Sequence, residues 1–195
     1  MKKKSNLFFH PSLMNFLLVI GCTFINVFGK YIADRLHTPL LLDSIGTALC
    51  SCLLGPVAGC LSGLLGFSLW KIFTPVSWLY AITCIPLAFC ISILYRRMTF
   101  RDPFQLISSG FLASFVSIAI TFCLNFFLNH GYTGNLWGDA LTNMFSQNGT
   151  DHTIACFFGH AFVEIPDKII TLAITFGIIC LYGYIARTKK GGNKK

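Results

Sequence analysis

The single glutamate of this 195-residue chain, Glu164, stands in the run Gly159-His160-Ala161-Phe162-Val163-Glu164-Ile165-Pro166-Asp167-Lys168, within an otherwise apolar segment. One imidazole, two carboxylates and one ammonium are thereby placed among Ile, Phe, Ala and Leu. An ionisable side chain in a bilayer costs roughly 3 kcal/mol on insertion scales and is retained where it is paired, hydrated or turned toward a cavity. The run therefore marks either an internal polar lock or the floor of a small-molecule site. His160 and Glu164 are spaced i, i+4 and meet on one helix face, which supplies two metal ligands; a third is not evident, so no metal is expected. Adjacent helix positions diverge, so Asp167 and Lys168 are expected to find partners elsewhere and not each other. There is no Ser in one layer with a His and an Asp, and no G-x-S-x-G, so no catalytic residue is assigned.

The surroundings of that run set its solvent. The chain is 54% hydrophobic and 11% charged, with mean hydropathy +0.68, against about 25% charged residues in an average soluble domain. This composition describes an integral membrane protein with no room for a separate soluble domain. The net charge of +8 is gathered into Lys2–Lys4, then Arg96, Arg97 and Arg101, then Arg187, Lys189, Lys190, Lys194 and Lys195. Such clusters are topogenic charge beside membrane segments, and no nucleic-acid partner is expected. All nine cysteines fall in apolar segments, where Cys acts as a small apolar residue. Cys50-x-Cys52 is a weak metal signal, because on a helix those side chains point about 200° apart. Lys2–Lys4 ahead of Val19-Ile20-Gly21-Cys22 has the look of a lipobox, but His10, Pro11 and Asn15 interrupt it, and an uncleaved first helix is expected.

A membrane-crossing helix needs about 20 apolar residues, fewer if it is buried among others. The apolar segments are Ser12–Ile32, Leu40–Leu54, Val57–Phe73, Val76–Tyr95, Phe104–Leu128 and Thr153–Ala186. Gly55-Pro56 and Thr74-Pro75 turn the chain; Pro86 and Pro166 are expected to kink or bend their helices. The stretch from Asn129 to Asp151 is polar, with a short helix over Ala140–Phe145 that Asp139 is placed to cap. The expected fold is an all-α integral membrane protein, one domain over residues 1–195, built as a six-transmembrane-helix bundle. An N-in/C-in orientation puts all three basic clusters on one side. Gly55, Gly59 and Gly63, at four-residue spacing, allow close helix contact, as do Gly29 and Ala33; such faces serve the bundle or a partner's helices.

That topology gathers the polar and aromatic residues at the outer side. Asp43 opens the second segment, where it or Ser44 is also placed to cap a helix. Trp70 closes the third, Trp78 and Tyr80 open the fourth, and Asn125 nears the end of the fifth. His160, Glu164 and Lys168 lie in the sixth, beneath Asn135, Trp137 and Asp139 in the loop. An aromatic recess with a few placed polar groups is how small ligands are held. Trp70 and Trp78 also fit an interfacial belt.

The stretch Leu40-Leu41-Leu42-Asp43-Ser44-Ile45-Gly46-Thr47-Ala48, followed by Leu54-Gly55-Pro56-Val57-Ala58-Gly59, resembles the second and third helices of substrate-capture (S) components of energy-coupling factor (ECF) vitamin transporters. The run Phe162 to Ile170 is similar to the Asp-Lys start of their last helix. The resemblance implies a protein without enzymatic activity or cofactor that binds a vitamin-like micronutrient from outside. It would then dock on a transmembrane coupling subunit driven by ATP-binding subunits in trans, in a bacterial-type cell membrane. The absence of a P-loop from this chain fits that division of labour. Family members usually meet the coupling subunit through Ala-x-x-x-Ala on the first helix, which this chain lacks; Gly29, Ala33, Gly55, Gly59 and Gly63 are the substitutes it offers. Two other readings are a membrane sensory or scaffold module, and a membrane enzyme with Glu164 or His160 as general base.

Overall fold

The structure is a computed structural model that describes residues 12–72, 78–97 and 102–192, with the side chains of Trp78 and of residues 79 and 185–192 outside the described set. The basic residues Lys2–Lys4, Arg101, Lys194 and Lys195 lie outside the described residues. Among the described residues every regular element is helical: α1 Leu13–Arg35, α2 Ile45–Leu53, α3 Pro56–Trp70, a 3-10 segment Trp78–Thr83, α4 Cys84–Arg97, α5 Pro103–Leu128, α6 Leu136–Gln147 and α7 His152–Gly192. Four stretches are long and apolar enough to cross a membrane: Leu13–Arg35, Tyr80–Arg97, Pro103–Leu128 and His152–Tyr184. Their outward faces carry large exposed apolar side chains, such as Phe16, Phe24 and Phe28 on α1 and Phe111 and Phe115 on α5. A helix apolar on both its inner and outer faces belongs in lipid, and the chain is an α-helical membrane protein.

The second apolar segment does not form one helix. Residues 36–44 are a strap outside any helix, and only Ile45–Leu53 is helical. At about 13 Å, α2 is too short to cross a ~30 Å hydrocarbon core alone. Pro39 disfavours helix at the residue before it, and the strap's amides are taken by a side chain from α7, described below. Every residue of α2 from Ile45 to Cys52 is buried, so its amino end has no water to satisfy it. Neither Asp43 nor Ser44 caps it, contrary to expectation. Asn26, on α1, does so instead: its Oδ1 accepts from Gly46 N at 2.7 Å and Thr47 N at 3.2 Å, while its Nδ2 donates to Thr47 Oγ1 at 2.9 Å.

The small-residue faces are filled within the chain. A Cβ on Gly59 would stand 1.9 Å from Ser51 Oγ of α2, and one on Gly63 would stand 2.7 Å from Cys84 of α4. Gly55 is buried with φ 103° and ends α2, and Pro56 starts α3. A Cβ on Gly29 would fall 2.3 Å from the Leu42 carbonyl, so the strap lies directly on α1, and Ala33 is buried beside it. Of the residues expected to dock a partner, Gly29, Gly59 and Gly63 have the space beside them taken up by close packing within the chain, and Gly55 and Ala33 are buried.

The two prolines stand in different helical settings. Pro86 sits in the first turn of α4, just after the 3-10 segment, where a missing N–H leaves no helical bond unmade. Pro166 lies inside α7, which runs on through it for 41 residues and packs against α2, α5 and α6. The polar stretch after α5 yields a longer helix than expected, Leu136–Gln147, and its cap is Asn135, whose Oδ1 accepts from Trp137 N at 3.1 Å and Gly138 N at 3.5 Å. The core holds Ala48, Cys52, Leu87, Ile91, Ala113, Leu172 and Phe176 at the meeting of α2, α4, α5 and α7.

Removing the Asn26 side chain strands two buried backbone donors and one hydroxyl. Asn26→Ala is expected to destabilise the fold by roughly 2–4 kcal/mol, read as a lowered melting temperature of the purified protein in detergent. A melting temperature unchanged from that of the parent would remove Asn26 from its capping role.

Candidate functional site

A cavity of about 700 Å³ opens at the end of the bundle where α1 finishes, α2 begins, α3 and α5 finish and the 3-10 segment begins. That volume lies in the range of small-molecule sites. Asp43, Trp70, Tyr80, Asn125, Asn135, His160, Glu164 and Lys168 line it together, as their placement at one side of the topology predicts. Trp137 and Asp139 do not line it. Trp137 is half exposed, and its Nε1 donates to His37 O at 2.6 Å. Asp139 Oδ1 accepts from Thr133 N and Thr133 Oγ1, both at 2.7 Å, and so fixes the turn before α6. The side chain of Trp78 is outside the described residues.

The floor is built on α7. Lys168, Glu164 and Asp167 are all buried. Lys168 Nζ donates to Asp167 Oδ2 at 2.6 Å, so the neighbours expected to diverge are in direct contact. A four-carbon stem in a closed pocket curls back around the helix, because an ammonium kept from water must reach the nearest carboxylate. Lys168 Nζ also lies 3.1 Å from Glu164 Oε2, within ion-pair range but off the line of a hydrogen bond. The other oxygen of Asp167 accepts from Leu41 N at 2.9 Å and Leu42 N at 2.7 Å. One carboxylate thus ties the strap to α7 and neutralises the lysine. Leu42 is held at φ 51°, a left-handed conformation that a Leu adopts only when its surroundings impose it.

One wall is a chain of hydrogen bonds with a fixed sense. His160 Nδ1 is 2.8 Å from Cys156 O, a carbonyl that only accepts, so Nδ1 carries the proton. Nε2 is then the acceptor for Asn125 Nδ2 at 2.7 Å. Asn125 Oδ1 in turn accepts from Tyr80 Oη and, at 3.1 Å, from Asn129 Nδ2, which also donates to Tyr80 Oη at 2.8 Å. Both ring nitrogens of His160 are therefore occupied inside the protein, and the residue holds Asn125 and Tyr80 in place. At the mouth, Asn135 Nδ2 donates to Thr38 O at 3.3 Å, which with the Trp137–His37 contact joins α6 to the strap. Lys30 and Asp34 form an ion pair at 3.3 Å there.

Reading the sequence missed Ser44, Phe67, Asn129 and Thr133 as lining residues. Ser44 and Asn129 had a signal, being one residue after Asp43 and four after Asn125. Phe67 and Thr133 had none. Comparison of the chain with protein-family models, curated proteins and solved structures gives no match.

The two acidic partners of Lys168 are unequal. Asp167→Ala removes the nearest carboxylate from the buried lysine and strands two backbone amides, and is expected to cost roughly 3–5 kcal/mol. Glu164→Ala leaves the tighter pair intact and should cost less than half of that. Thermal melts of the two purified variants compare them, and equal losses would overturn Asp167 as the principal partner.

Proposed function

We propose that this chain is a membrane-embedded capture subunit for a small, vitamin-like micronutrient, of the kind found in ECF-type importers. The observation that carries the proposal is the cavity of about 700 Å³, whose lining includes the aromatics Phe67, Trp70 and Tyr80 and the ionisable groups Asp43, Glu164 and Lys168. Aromatic faces bind a planar ring, and the few polar groups fix its orientation. The capture reading takes the bundle to have six crossings with both termini inside a bacterial-type cell membrane, α2 completing its crossing together with the strap. The cavity then opens outward, and the basic clusters lie on the cytoplasmic side. Transport in this reading requires a separate transmembrane coupling subunit and ATP-binding subunits, because the chain carries no phosphate-binding loop. The coupling subunit would bind one of the outward apolar faces, since the glycine faces are filled internally.

The test is mass spectrometry of small molecules that co-purify with the gently solubilised protein, followed by titration of the stripped protein with the molecule found. A stoichiometric heterocyclic compound is expected. Trp70→Ala should weaken its binding by about tenfold or more, in line with loss of a buried Trp contact. A protein that carries no small molecule and gains no thermal stability from a vitamin panel would overturn the proposal.

A further inference from the structure

The charges around the cavity do not balance, and the imbalance has a direction. Lys30 is paired with Asp34 at the mouth. Lys168 is paired with Asp167 at 2.6 Å, and that aspartate is further held by two backbone amides. His160 is fixed as a neutral imidazole with both nitrogens engaged. What remains lining the space is Asp43, whose carboxylate accepts no hydrogen bond among the described residues, and Glu164, which is buried. Glu164 shares the edge of a lysine already committed elsewhere. Ser44, beside Asp43, is buried and lines the same cavity, and its Oγ makes no hydrogen bond among the described residues. Buried polar atoms in folded proteins find partners with few exceptions. Ser44 Oγ, on a side chain lining the cavity, is such an exception among the described residues, and Glu164 Oε2 has only the shared Lys168 beside it.

We infer that the molecule held on this floor is a cation bearing N–H donors on a planar ring system, an amidine or a protonated amino-heterocycle. Its charged end sits between Asp43, Ser44 and Glu164, and its ring lies toward Phe67, Trp70 and Tyr80. Three acidic side chains, Asp43, Glu164 and Asp167, stand around the single ammonium of Lys168, and such an excess attracts positive charge most strongly where water is scarce. Their lone pairs accept from N–H groups, and the neighbouring aromatic faces favour a cation over a neutral ring. An anion would meet Asp43 and Glu164 with no free ammonium to offset them. This inference rests on the capture reading and specifies the ligand class for that site.

The test uses isosteric probes on the full-length protein in detergent, stripped of small molecules: benzamidine, benzamide and benzoate, and their 2-naphthyl counterparts. Binding is read by tryptophan fluorescence and thermal shift. The amidines are expected to bind at least about tenfold more tightly than the amides and carboxylates, as hydrogen bonds to charged groups imply. Asp43→Asn and Glu164→Gln should each reduce that preference; Asp43 makes no hydrogen bond in the fold, so its variant keeps the test open if Glu164→Gln folds poorly. Amides or carboxylates binding as well as amidines would overturn the cationic class and leave the capture reading standing. The same holds if the amidine preference survives both variants. Stabilisation by magnesium, calcium or zinc ions without discrimination among the probes would replace the organic cation by a metal. If no probe binds, the net charge of the co-purifying molecule decides: a cation supports the class, and a neutral or anionic one overturns it. The absence of any such molecule overturns the capture reading itself.

Discussion

A carboxylate sealed among helices must have its lone pairs filled, and Asp167 fills them from two elements far apart in sequence. Leu41 and Leu42 supply amides to one oxygen, and Lys168 supplies its ammonium to the other. Much of the site's geometry follows from this. The strap is pulled onto α7 at Asp167 and rests on α1 at Gly29, with Leu42 forced into a left-handed turn between them. Its far end then delivers Asp43 and Ser44 to the cavity floor and starts α2 beneath it. Lys168 is thereby shared between Asp167 and Glu164, and Glu164 lines the cavity with only that shared ammonium beside it. Buried ion pairs contribute little net stability compared with apolar packing; here the pair sets where a backbone segment lies.

The opposite wall works by a different principle. Cys156 O, His160, Asn125, Tyr80 and Asn129 form a polar chain whose donors and acceptors are fixed from the carbonyl end, so no member has freedom to re-pair. Such a network, fully satisfied, is rigid. The cavity thus has one side of closed hydrogen bonds and a floor with unused acceptors. The contrast separates residues that shape the space from residues that meet what enters it.

The alternation of helices across a membrane made most of the site legible in the sequence. Once the apolar segments were ordered, the ends bearing Asp43, Trp70, Tyr80, Asn125 and Glu164 had to lie on the same side, and they do line one cavity. The partners of those residues were not legible. Asn26 is an ordinary mid-helix Asn whose capping role depends on α2 arriving across 20 residues of chain. The pairing of Asp167 with the strap spans 126 residues, and no local pattern encodes it. The glycine spacing showed that backbones approach closely, but not which ones. Helix geometry also misled for Asp167 and Lys168: the divergence of adjacent positions holds for short side chains and fails for a long one confined in a pocket. In the loop, Asp139 was the expected cap; Asn135 caps the longer helix instead, and Asp139 is held at the turn by Thr133.

The 41 residues of α7 make a rod of about 60 Å, about twice the thickness of a ~30 Å hydrocarbon core. A rod of that length either leans steeply or stands proud of the membrane, and it behaves as a lever. A change in tilt of about 10° would carry one end past the other by about 10 Å, on the rise of an ordinary helix. The ladder of such a rod is weakest where a proline removes a rung, and Pro166, without an N–H, removes the bond to the Phe162 carbonyl. The fulcrum of the longest element in the protein therefore coincides with the cavity floor, so leaning or straightening of the lever is felt first where the acidic groups stand.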